Sequence, residues 1–108
     1  MKNHGEPNTW DVTPVTDMSM LFQSLKTFNA PIDQWNTSQV TNMAYMFNGA
    51  SSFNQPITMD TSQVISMNNM FMNASSFNQP ITMDMSKVIV MNNMFYGADA
   101  MTHPKPSL

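Results

Sequence analysis

An acidic or amide residue returns at one place in each stretch of this chain, as Asp11, Asn36, Asp60 and Asp84, with Ser38, Ser62 and Ser86 two residues beyond the last three. If the stretches stack, these side chains form a column one strand spacing apart, and a carboxylate column could hold a divalent cation through oxygen ligands. Calcium-binding repeats supply several oxygens per turn, whereas this column offers one acid and one hydroxyl. The favoured reading is therefore that these residues cap a turn by bonding nearby backbone N–H groups. No metal ligand is assigned.

Other chemistry is harder to build. The chain has no cysteine, so it has neither disulfides nor thiolate metal sites, and its redox compartment is left open. His4 and His103 lie at opposite ends and cannot form one metal site within a chain. No repeated block places a His near a Ser and an acid, and no GxGxxG or GxxxxGK loop is present. Catalysis needs groups whose environments differ, and equivalent positions in a repeat have equivalent surroundings. The expectation is a non-enzyme without a cofactor.

The elements that carry these residues follow from a recurrence. The pattern MxxMF, or MxxLF, appears as Met18-Leu21-Phe22, Met43-Met46-Phe47, Met67-Met70-Phe71 and Met91-Met94-Phe95, at steps of 25, 24 and 24 residues. A period in that range signals stacked repeats. Each block also carries FNxPI from Phe28, Phe53 and Phe77, then the acidic or amide residue, then SxV. Residues 49–71 and 73–95 differ only at Gly49/Asn73, Thr61/Met85, Gln63/Lys87 and Ser66/Val90, as recent duplication would leave them. One extra residue lies between Ile32 and Trp35.

One domain over 1–108 is expected, divided into repeat 1 (4–27, opening on a polar N-terminal cap strand), repeat 2 (28–52), repeat 3 (53–76), repeat 4 (77–100) and a C-terminal cap or tail (101–108). The ends keep the repeat's Pro, as Pro7 and Pro104, but replace its buried aromatic and Ile by His4 and Asn8 at the start and by Met101 and Lys105 at the end. Terminal repeats need such polar faces for solubility.

Within a block, Met43, Met46, Phe47, Ala50 and Phe53 fall at i, i+3, i+4, i+7 and i+10, and Met67 to Phe77 repeat that spacing. This predicts a short helix with one buried face, ended by the Pro of FNxPI, and then an extended segment from Phe53 to about Met59. A helix that short is marginal alone, so stacking must stabilise it. Pro31, Pro56 and Pro80 each remove a ladder donor and limit the strands to two to four residues. The amides Asn29, Asn54 and Asn78, and Gln55 with Gln79, form further columns expected to satisfy backbone groups at the corners. Methionine on the helical face could form a pliable binding surface, but its spacing favours core. The fold class expected is an α/β repeat solenoid of about four repeats, each a short parallel strand plus a short helix.

The strings WNTSQVTNMAYMFNGASSFNQPI and MDTSQVISMNNMFMNASSFNQPI resemble the BspA-like surface-protein repeat of the DUF285 type, a leucine-rich-repeat relative of bacterial surface lipoproteins, notably of mycoplasmas. The resemblance covers nearly the whole chain. One departure is that the family's Trp, present at Trp10 and Trp35, becomes Met59 and Met83. The resemblance implies a right-handed, leucine-rich-repeat-like stack, a location at the cell surface or in the secreted fraction, and a role in adhesion or protein binding.

Charge agrees with a limited partner range. Net charge is −3 at pH 7, which leaves no basic patch for nucleic acid or anionic membrane, and no apolar run is long enough to span a bilayer. The partner expected is a protein or a cell-surface or matrix component, met by the positions that vary between near-identical blocks. Met72, Met85, Lys87, Tyr96 and Tyr45 are the candidates, and an exposed apolar cluster of this kind would be an interaction site. The alternative is a structural protein that self-assembles into oligomers, a fibre or a coat, with homo-oligomers as its first step.

Overall fold

A computed structural model describes residues 6–107. His4, and with it the first part of the expected N-terminal cap, lies outside the described residues. Successive repeats do stack, and the aromatic rings show how. Phe22, Phe47, Phe71 and Phe95 form one column with ring centroids 5.5, 5.4 and 5.5 Å apart, and Phe28, Phe53 and Phe77 form a second at 5.8 and 6.0 Å. Where each repeat runs into the next, the two columns touch at 4.1 Å, as Phe22 on Phe28, Phe47 on Phe53 and Phe71 on Phe77. Val40, Val64, Ile32, Ile57 and the inner methionines complete a buried core that runs the length of the stack.

The expected α/β solenoid, with a short parallel strand and a short helix per repeat and a right-handed leucine-rich-repeat-like course, is not what the chain adopts. Among the described residues there is no α-helix and no sheet. Regular structure is limited to a 3-10 helix at Pro7–Thr9 and the isolated parallel bridges Asp17↔Asn42, Asn42↔Ser66 and Ser66↔Val90.

The MxxMF segment is instead a run of β-turns. In repeat 2, the N–H groups of Met46, Asn48, Ala50 and Phe53 bond the carbonyls three residues back, those of Met43, Tyr45, Phe47 and Ala50. The third residue of the first turn, Tyr45, has φ 62°, and that of the third turn, Gly49, has φ 75°. Positive φ at that place defines a type II turn, which favours Gly or Asn. The later repeats supply those types, with Asn69 (57°) and Asn73 (61°), then Asn93 (54°) and Gly97 (76°). Because a left-handed residue every fourth position cannot continue a right-handed helix, the apolar i, i+3, i+4 face survives while the helix does not.

Alternate N–H groups, freed from the turns, point along the stack. Met43, Tyr45, Phe47 and Gly49 donate to the carbonyls of Ser66, Asn68, Met70 and Met72 in the next repeat, at 2.8–3.0 Å. Repeat 1 donates to repeat 2 in the same way from Met18, Met20, Phe22 and Ser24, as repeat 3 does to repeat 4 from Met67, Asn69, Phe71 and Asn73. One bond per junction runs back, from Thr41 to Thr16, Ile65 to Thr41 and Ile89 to Ile65. Every junction thus carries a directional row of four donors facing four acceptors.

The FNxPI segments form no strands for the reason anticipated at Pro31, Pro56 and Pro80: without those N–H groups no ladder closes. The extra residue of repeat 2 has a local use. It makes a turn in which Trp35 N–H bonds Ile32 at 3.2 Å, and Asn8 holds that turn through Asp33 (2.7 Å) and the Gln34 N–H (2.9 Å). Trp35 Nε1 donates to the Pro7 carbonyl at 2.6 Å. The N-terminal segment is therefore fastened by a short 3-10 turn and its side chains rather than as a cap strand.

Candidate functional site

The acidic column forms, and each member turns toward its own backbone. Asp60 Oδ1 accepts the Ser62 N–H at 2.9 Å and the Ser62 hydroxyl at 2.6 Å, and Asp84 accepts the Ser86 N–H at 2.9 Å. Asn36 makes the same pair of bonds to Ser38, at 3.1 and 2.7 Å. Asp11 accepts from Thr13 N–H at 3.0 Å, and Asp17 caps a second turn through Ser19 N–H at 2.8 Å. Among the described residues no group of three or more His, Cys, Asp or Glu side chains is placed to hold a metal ion. The geometry is that of Asx turns.

These bonds set the carboxyl chemistry. The Ser62 hydroxyl, and then the Ser62 N–H, hold Asp60 below its ordinary value of 3.8, against smaller opposing pushes from desolvation and then from the charge of Asp84. Ser86, Thr13 and Ser19 do the same for Asp84, Asp11 and Asp17, and Asn8 lowers Asp33. A depressed folded-state pKa contributes stability that is present above the unfolded value and lost as pH falls through the folded value. Thermal unfolding should therefore be nearly independent of pH above about 5 and fall at progressively lower pH below about 4. Asp60→Asn should retain the turn, since Asn36 already does so, and flatten part of that acid slope. A melting temperature unchanged from neutral pH to pH 2, followed by circular dichroism, would contradict the bonding described.

The amide columns do what was expected of them. Asn29 Oδ1 accepts the Asn54 N–H at 2.8 Å, Asn54 Oδ1 accepts the Asn78 N–H at 2.9 Å, and Asn78 Oδ1 accepts the Thr102 N–H at 2.9 Å. Gln55 and Gln79 donate to the Asn29 and Asn54 carbonyls at 3.0 and 3.2 Å. No described buried side-chain nitrogen or oxygen lacks a partner. The polar columns are consumed by holding the stack together, and the surface that departs from the repeat lies outside them.

The five sequence candidates divide on that surface. Tyr96 is 68% exposed, and Lys87 is exposed with its ammonium on Gln63 Oε1 at 2.9 Å. Met72 is half-buried, its sulfur 3.1 Å from the Asn69 amide nitrogen, and Tyr45 is half-buried at its left-handed turn position. Met85 packs on the core. Its equivalents Thr37 and Thr61 are buried and donate to the carbonyls of Asp60 and Asp84 in the next repeat, both at 2.9 Å. The column varies between blocks yet is an inner junction position, where Met85 packs on the core in place of the buried threonines.

Sequence reasoning missed a more open column. Thr16, Thr41, Ile65 and Ile89 follow one another along the stack, and Ile65 and Ile89 are 45% and 71% exposed. The signal was available in the change from Thr to Ile at a place flanked by inward-facing Val64 and Val88.

A family model described as "Mycoplasma protein of unknown function, DUF285" matches residues 2–107. No curated protein and no solved structure matches.

Proposed function

We propose that this chain, which belongs to the DUF285 family, is a non-catalytic recognition module, displayed at the cell surface, that binds a protein or matrix partner. The observation that carries this reading is the apolar exposure of Ile89 and Tyr96 on a scaffold whose buried polar side-chain atoms, among the described residues, all find partners within it. Two β-branched groups in one column, Ile65 and Ile89, beside Lys87 and Gln63 offer apolar area with a polar margin, the usual composition of a protein-binding patch. The resemblance to BspA-like surface proteins and the mycoplasmal family assignment support the location. No helix of the described residues is long and apolar enough to cross a membrane.

The test is saturable binding of fluorescently labelled chain to intact animal cells and to matrix-coated surfaces, with wild type beside an Ile89→Lys, Tyr96→Ser double variant. Both positions are exposed, so the variant should melt as wild type does, and its affinity should fall by about tenfold or more if these side chains are anchors. Absence of saturable binding, or equal binding by the variant, would remove the reading.

A further inference from the structure

The directional junction leaves a row of four donors at one end of the stack and a row of four acceptors at the other. The N–H groups of Met91, Asn93, Phe95 and Gly97 stand where repeats 1 to 3 donate to the next repeat, and none has an acceptor among the described residues. At the opposite end the carbonyls of Asp17, Ser19, Leu21 and Gln23 stand where repeats 2 to 4 accept, and none has a described donor. The two rows have the same spacing and opposite character, as the three internal junctions demonstrate.

Three further features of the two ends match. Phe22 and Phe95 terminate one ring column, and Phe95 is only half-buried whereas Phe47 and Phe71 are fully buried. An apolar groove of about 340 Å³ opens over Phe22 and Phe28, walled by Pro7, Trp10, Leu21 and Leu25, with Leu21 and Leu25 44% and 48% exposed. The third is charge. Lys26, Ser51, Ser75 and Asp99 occupy one column, in which Ser51 and Ser75 hydroxyls reach the carbonyl of the repeat before at 3.5 Å. Its ends are a lysine and an aspartate, both exposed and with side-chain charges that have no described partner.

We propose that a second copy of this chain docks head to tail, its Met91–Gly97 donor row on the Asp17–Gln23 carbonyls of the first, with Phe95 over Phe22 and Asp99 beside Lys26. The contact joins two different surfaces, so each dimer keeps one free end of each kind and growth is open-ended rather than closed. Backbone pairing at an exposed edge supplies the register, and the ring column and groove supply apolar burial. The docked row includes Tyr96 of the recognition patch but needs neither Ile89 nor Lys87, and a monomeric chain would leave that reading standing.

Sedimentation and light scattering of the whole chain from micromolar to millimolar concentration should show a weight-average mass that climbs without reaching a plateau. Lys26→Asp puts an acid at both ends of the stack, and Asp99→Lys puts a base at both. Each single variant should melt like wild type yet associate about tenfold more weakly. An equimolar mixture of the two should recover wild-type association, because every alternating junction then pairs Asp with Lys. A wild-type mass that stays monomeric throughout, variants that associate like wild type, or a mixture that behaves as its separate components would each overturn the proposal.

Discussion

Replacing Phe47 or Phe71 by Ala should destabilise the chain by about 3 to 5 kcal/mol, while Phe95→Ala should cost about 2 kcal/mol or less. Phe47 and Phe71 are fully buried, and each ring touches three others, one in the neighbouring column six residues on and one on either side along its own column. Truncation leaves a cavity that its neighbours, held by the same row of backbone bonds, cannot collapse to fill, and it removes stacking beyond area burial. Phe95 is half-buried, with a ring of the column on one side only. Its loss is felt by one junction, as expected where repeats interact with nearest neighbours. Urea unfolding of the three variants measures this directly, and equal losses at all three positions would contradict the stack.

What the sequence made legible was whatever depended on the period. The ring columns, the inward valines, the Asx turns at Asp60 and Asp84 and the amide column from Asn29 to Asn78 all follow from one register, because identical residues one repeat apart must meet identical neighbours. The local conformation of MxxMF was not legible from its apolar spacing. Met43, Met46, Phe47 and Ala50 share a face both on a helix and on a run of turns, so hydrophobic periodicity cannot separate the two. The distinguishing residues were those between: Asn69 and Asn73, and Asn93 and Gly97, are pairs four apart of types that tolerate positive φ, and Gly49 follows Tyr45 by four. Met85 illustrates the complementary failure. Variation between blocks suggests exposure, yet that position is inner: Thr37 and Thr61 are buried and bonded to the following repeat, and Met85 packs on the core.

The largest backbone effect is expected at Asn69, where helix and turn stack make opposite predictions. Asn69 has φ 57° and donates its N–H to Asn92 at 2.9 Å across a junction. Asn69→Pro forces φ to the negative side and deletes that bond, for a loss on the order of 3 kcal/mol from strain and a missing hydrogen bond together. Proline would break a helix as well, so the informative comparison is Asn69→Gly with Asn69→Ala. In a helix Ala would be the better of the two by about 1 kcal/mol. In the turn stack Gly adopts the left-handed position freely, and Ala there costs about 1 to 2 kcal/mol. Gly should therefore be the more stable variant in chemical denaturation. If Ala proves the more stable, the turn description of the MxxMF segment fails, and with it the donor row that holds each repeat to the next.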